Sequence, residues 1–271
     1  MAFSVNTNPG AFVALTQLNE TNRQLAITQN RINTGLKVAS AKDDAATFAI
    51  AQNLRADVAG FNAVSQSLDR SIAALDVALN ASEAIADLLI KLRETAVAAS
   101  DPGLDSLSRQ ALEDEFKQVL RQIDSIVQSA SFNGTNLISA ANSVAAIDEN
   151  GQVVFSVAGA DMTVSALGIS SAFATATAAQ SVVSELDGAI STVNATLSVL
   201  GAGRQRFELQ KDFVGKVIDS LKIGIGNLVD ADLAKESANL QALQVRQQLG
   251  LQALAIANQA PQTILSLFGG R

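Results

Sequence analysis

The chain has 271 residues and a formal net charge of −7, with 48% apolar but only 4% aromatic residues. It contains no His, Cys, Tyr or Trp, so it lacks the usual general base, the thiolate nucleophile, most transition-metal ligands and the best base-stacking rings. The acidic balance argues against a nucleic-acid partner, which needs a basic footprint, and no run of 18 apolar residues is available to insert into a membrane.

Residues 1–10 read as polar and irregular, with Pro9-Gly10 as a breaker. No basic segment followed by an apolar run stands there, so no cleaved secretory signal is expected. A helix follows over about 11–34. Leu15, Leu18, Leu25 and Ile32 fall on one 3/4-spaced seam, with Asn22 and Gln29 in its remaining positions. A seam with polar members is under-specified alone and suits contact with several partners. Gly35 is a helix stop. Ser40 and Asp43 then fit a helix-start pattern, with Asp43 and Asp44 at the positive end of the coming helix. The Asp pair reads as a cap in preference to a metal or acid–base site.

From there to Ser100 only Gly60 interrupts, and Leu54, Val58, Phe61, Leu68, Ile72, Leu75 and Leu79 follow alternating 4/3 steps. A helix of about 50 residues is about 75 Å long, the dimension of a coiled-coil element. "SDPGLDS" (100–106) is a turn. The next helix, about 104–130, carries Leu112, Phe116, Val119, Ile123 and Ile126 on one face, and Asn133-Gly134 supplies turn chemistry. Residues 144–170 hold β-branched runs around Asn150-Gly151 and Gly159, predicting a small hairpin or three short strands. Helix returns near Ala174 with Val183, Leu186, Ile190, Val193, Leu197 and Leu200 in 3/4 steps. Gly201 and Gly203 are expected to weaken that register before Phe207, Val214 and Val217 resume it. Asp230 and Asp232 suit the start of a last helix, which runs to Pro261.

The expected fold is mainly α: a long antiparallel helical coiled-coil bundle with paired terminal helices and a small central β-hairpin insert. The pairing follows from helix lengths. The apolar terminal helices have three readings. They complete the chain's own bundle; they lie on a membrane; or they meet copies of the same chain. Their polar faces hold mostly Gln, Asn, Ser and Ala and few basic residues, which weighs against the membrane. A head-to-tail contact between copies that does not close yields a helical filament.

Four stretches carry a family resemblance. "RINTGLKVASAKDDAATFAIAQNLRADVAGFNAVSQSLDRSIAALDVALNA" (31–81), "LRETAVAAS" (92–100), "SASFNGTNLI" (129–138) and "NLVDADLAKESANLQALQVRQQLGLQALAIANQAPQTILSLF" (227–268) stand in the order of the bacterial flagellin signatures. The chain resembles short alphaproteobacterial flagellins most. The resemblance implies a structural, non-enzymatic subunit with no cofactor. Such a subunit is exported by the flagellar type III system and polymerises into the extracellular filament used for swimming. Implied partners are further copies of the chain, the filament cap, junction proteins and an export chaperone. It also implies three layers: an inner core from 1–40 plus 228–271, a bundle from 41–140 plus 174–227, and a surface insert at 141–173. Inner-core contacts would come from Leu15, Leu18, Leu25, Ile32, Leu240, Leu243, Leu251, Leu254, Leu265 and Phe268. Lys91, Arg93, Thr95 and Glu115 match the region read by the innate immune flagellin receptor. Lys91 stands there in place of an arginine and Thr95 in place of an apolar residue, which implies weak recognition. The alternatives are a hook–filament junction protein, or a surface polysaccharide-binding or adhesin protein on the same scaffold.

Overall fold

The computed structural model describes residues 7–140 and 142–268, with side chains through residue 259. Its elements run α1 (Pro9–Thr34), α2 (Ala45–Ala99), α3 (Ser106–Ser129), β1 (Ser143–Ile147), β2 (Val153–Ala158), α4 (Ala176–Val229) and α5 (Leu233–Phe268). The fold is mainly α with one hairpin, as the patterning implies. The chain divides into two compact units: 57–220, and a second unit made of the residues before 57 and after 220.

In the central unit, the buried row of α2 is Val64, Leu68, Ser71, Leu75, Ala78, Ser82, Ile85, Leu89, Leu92, Thr95 or Ala96, and Ala99. Its steps alternate 4 and 3, the repeat of a helix packed along its length. α4 answers with Ala179, Val182, Leu186, Ala189, Val193, Thr196, Leu200 and Phe207. The two run antiparallel. Asp69 pairs with Lys211 at 2.6 Å, Asp76 with Arg204 at 2.5 Å and Arg93 with Asp187 at 2.6 Å, one number falling as the other rises. α3 adds Phe116, Val119, Leu120, Ile123 and Val127 to the same core. Asp105 caps it, accepting from the Ser108 N–H, and this bond holds the Asp105 carboxyl below the usual range. Arg109 donates to the carbonyls of Ala99, Asp101 and Leu104 and so ties the preceding turn.

Asn133 and Gly134 both take positive φ (49° and 79°), and Phe132 and Thr135 exchange backbone hydrogen bonds across them. The strands pair antiparallel, Ser143 opposite Ala158, with an irregularity between Ala146 and Ile147. The third strand allowed by the sequence does not form among the described residues. Asp161 accepts from the Thr163 N–H, and the Leu167 N–H donates to the Thr163 carbonyl, so local turns use the backbone groups a strand would need.

The weakening of register expected at Gly201 and Gly203 does not interrupt the helix: α4 is continuous. Gly203 lies on the buried row under the hairpin, where a Cβ would stand 2.7 Å from the Val157 side chain. That glycine admits the strand and does not interrupt the helix. Phe155 packs edge-on against Phe207 at 4.8 Å, with the Arg206 guanidinium 3.9 Å above the Phe155 ring. α5 likewise passes through the expected stop at Pro261. A proline withholds one N–H and crowds the turn before it, but here the helix continues to Phe268.

Candidate functional site

The terminal unit is built outward from a short root. Gly35 ends α1 in the left-handed region at φ 72°, a conformation glycine takes without a Cβ penalty. Its carbonyl accepts from the Ala231 N–H at 2.8 Å, and the Val229 carbonyl accepts from Lys37 and Val38 at 2.7 and 3.2 Å. Val38, Ala51 and Val229 form a small core here, backed by Leu36, Phe48, Ile225 and Leu228.

The Asp pair beside it is structural. Asp43 accepts from the Ser40 N–H and hydroxyl, which hold its carboxyl below the usual range. Asp44 accepts from the Thr47 hydroxyl and from the Thr47 and Ala46 N–H groups. It caps α2, and its carboxyl is lowered by Thr47 above all. Asp232 caps α5 through the N–H groups of Ala234 and Lys235. No cluster of three carboxylates able to hold a metal occurs among the described residues.

From this root α1 and α5 run side by side, antiparallel. The Arg31 guanidinium meets Glu236 at 3.0 Å, Gln247 donates to Asn22 at 2.7 Å, and the Asn8 amide donates to the Ala257 carbonyl at 2.6 Å. The less exposed row of α1 is Ala11, Ala14, Leu18, Thr21, Leu25, Thr28 and Ile32; that of α5 is Glu236, Leu240, Leu243, Gln247, Gly250, Leu254 and Ala257. Both step by 3 and 4. Few large side chains are fully enclosed: Leu18 is 8% exposed and Leu243 7%. Gly250 lets the helices close, since a Cβ there would stand 3.3 Å from Leu18 Cδ1.

Away from that row the pair presents apolar side chains to solvent: Phe12, Val13, Leu15 and Ile27 on α1, and Val245, Leu249, Leu251 and Ile256 on α5. Val13 and Ile256 are 71% and 69% exposed. Apolar side chains left exposed on both helices of one pair make this the candidate interaction surface.

The predicted contact residues therefore fall in two places. Leu18, Leu25, Ile32, Leu240, Leu243 and Leu254 lie along the seam between α1 and α5, whereas Leu15 and Leu251 face solvent. Leu265 and Phe268 lie outside the described side chains. The seam expected through Asn22 and Gln29 is not the one α1 turns toward α5. Leu18, Leu25 and Ile32 belong to two overlapping heptad rows, and the row shared with Thr21 and Thr28 faces the partner helix. Thr21, Thr28, Glu236, Gln247 and Gly250 are the positions that apolar spacing alone misses; their signal is position in the second row.

In the central unit Lys91 pairs with Glu115 at 3.2 Å across α2 and α3, and Arg93 with Asp187. Thr95 points inward: it is 8% exposed and its hydroxyl donates to the Lys91 carbonyl.

Comparison with known proteins follows these units. The family model described as the bacterial flagellin N-terminal helical region matches residues 5–143, and that of the C-terminal helical region matches 183–268. Flagellin FljM of Caulobacter vibrioides is 45% identical over 268 residues, covering 98% of each chain. Among solved structures, Bacillus cereus flagellin superposes with a TM-score of 0.50 at 19% identity, over 55% of this chain and 88% of that one. A chain assigned as a flagellar hook-associated protein of Vibrio parahaemolyticus superposes with a TM-score of 0.57 at 12% identity, over 69% of this chain and 100% of that one. These two likenesses concern the fold.

Proposed function

The chain belongs to the bacterial flagellin family and is a structural subunit of the flagellar filament used for swimming, and from that premise we propose that α1 and α5 are the part of it completed by neighbouring copies. One observation carries the reading. The α1–α5 pair encloses a narrow row of side chains and leaves Phe12, Leu15, Leu249, Leu251 and Ile256 in solvent. Supplied by further copies, an apolar neighbour would remove that surface from water, at about 25 cal/mol per Å². No helix among the described residues is long and apolar enough to cross a membrane, so a bilayer-spanning role does not account for the exposed residues.

On this reading 1–40 plus 228–271 form the inner core, 41–140 plus 174–227 the layer around it, and 141–173 the outward insert. The contacts come from Leu15 and Leu251 toward neighbours and from Leu18, Leu25, Ile32, Leu240, Leu243 and Leu254 within the pair, with Leu265 and Phe268 continuing the same apolar series. The flagellar type III system exports the chain, and a cap, junction proteins and an export chaperone are its further partners. The identity to a filament flagellin over the whole chain favours this role over that of a hook-associated protein, for which the likeness is one of fold. Purified monomer activates the immune flagellin receptor weakly, because Lys91 lacks the planar fork of arginine and Thr95 is turned into the core.

The test is electron cryomicroscopy of filaments grown from the purified chain. Leu249, Leu251 and Ile256 should be buried against neighbouring copies near the filament axis. Filaments in which they face open water, or no filaments on sheared seeds, would contradict the reading.

A further inference from the structure

The α1 row facing α5 is nearly self-similar under a shift of one heptad. Leu18 is followed seven residues on by Leu25, Leu25 by Ile32, and Thr21 by Thr28. Apolar packing therefore discriminates poorly between the observed register and one slipped by seven residues, or about 10 Å along the axis. Glu236 is the one charged residue in the buried set of the described residues, at 8% exposure. It is met by Arg31 alone among the described cations. In the slip that brings Ala11 to Gly250, Gln24 would take the place of Arg31, and in the opposite slip that place would fall to Val38, beyond the end of α1; either way the carboxylate would be left without its counter-charge. An uncompensated buried charge is far costlier than the pair it replaces.

We propose that Arg31 and Glu236 are positioning residues that fix the register of the terminal helices, and through it the relative placement of the apolar faces that neighbouring copies meet. The proposal rests on the filament reading. Asn22–Gln247 and Asn8–Ala257 lie farther from the root and are exposed or half-buried, so their loss in a slip costs less than the loss of the buried carboxylate's partner. The backbone bonds of Gly35, Lys37 and Val38 anchor the root itself; the ion pair carries that anchor into the helices. A slip would carry Phe12 and Leu15 past Leu249, Leu251 and Ile256 and so change the relative placement of the exposed apolar side chains on the two helices.

The chain has no cysteine, so engineered pairs report register without background. A Cβ at position 250 would lie 3.9 Å from the Leu18 Cβ, the spacing of a disulfide. L18C/G250C therefore reads the observed register, while L25C/G250C and A11C/G250C read slips of one heptad in either direction. Each pair is placed in the parent chain and with E236Q and with R31E/E236R, assembled on sheared seeds, oxidised, and resolved on non-reducing gels. Intramolecular bridges shift the monomer band, and bridges between copies give a ladder.

The parent should form the L18C/G250C bridge within one chain. E236Q should lower its yield about threefold or more and raise one of the slipped bridges, and the charge swap should restore the parent pattern. If E236Q does not assemble, a swap that assembles with the parent bridge supports the proposal. An undiminished L18C/G250C bridge in E236Q overturns it, as does a swap that fails to restore that bridge. Absence of filaments from the parent chain would instead count against the filament reading beneath it.

Discussion

The central and terminal units use the same 3/4 spacing to opposite ends. In 57–220 the row of α2 is enclosed on all sides: Leu68, Leu75, Ile85, Leu89 and Leu92 have no exposure, and Phe116, Phe173 and Phe207 fill the space between elements. In the terminal unit the rows of α1 and α5 hold Ala, Thr, Gly and Gln beside Leu and Ile, and further large apolar residues, Phe12 and Ile256 among them, are exposed. Burial is what opposes the conformational entropy of ordering a chain. The central unit encloses its own rows, whereas on the proposed reading neighbouring copies cover the outer face of the terminal pair. A heptad pattern thus reports that a helix will be packed, and the size of the residues on it reports whether the chain itself does the packing.

The contrast can be broken most severely in the central unit. Phe116→Ala removes a ring with no exposure that packs edge-on against Phe173 at 5.1 Å, and it should cost about 3–5 kcal/mol in denaturant unfolding of the monomer. A loss no larger than that of a surface substitution would mean this core is not what holds the unit. Next in size, Gly203→Ala places a methyl against Val157 and should cost about 1–3 kcal/mol, with the hairpin resonances shifted in NMR spectra.

Leu251→Ala sharpens the comparison from the other side. The residue is exposed, so monomer stability should stay within about 0.5 kcal/mol. Losing about 1–2 kcal/mol at a contact between copies should raise the monomer concentration left beside filaments about 5–30-fold. A destabilised monomer with unchanged assembly would reverse the assignment of that face.

The smallest effect is one of pH. Lys117, and then the Phe173 N–H, hold the Glu113 carboxyl below the usual range. A carboxyl depressed in the folded state stabilises it above its ordinary pKa, and that contribution disappears as pH falls through the depressed value. Glu113→Gln should therefore flatten the acid side of the melting profile and leave the salt dependence of the terminal pair unchanged. An identical acid limb in the variant would remove Glu113 from the account.

Much of this was legible in the residues. Helix bounds near 34, 99 and 129 follow from Gly35, from "SDPG" and from Asn133-Gly134. Of the Asp43-Asp44 pair, read as a cap, Asp44 caps α2, while Asp43 ties the preceding turn by accepting from Ser40. Gly203 was misread because a glycine within a helical row weakens it unless another element must come close, and the approach of Val157 is a tertiary fact. The inward row of α1 was missed because Leu18, Leu25 and Ile32 fit two heptad frames equally. Thr21 and Thr28, which settle the frame, carry little hydropathy signal. Glu236 was invisible for a related reason: near a helix start a glutamate reads as dipole chemistry, and only the position of Arg31 across the seam gives it a second role.

On the proposed reading, the chain ends acquire their protection from other copies. Limited proteolysis of purified monomer, repeated during growth on sheared filament seeds and followed by electron microscopy, tests it most directly. Cuts within 7–34 and 233–259 are expected in the monomer and should disappear as filaments lengthen, with 57–220 resistant throughout. Ends already resistant in the monomer, with seeds that do not grow, would show a closed bundle and contradict it.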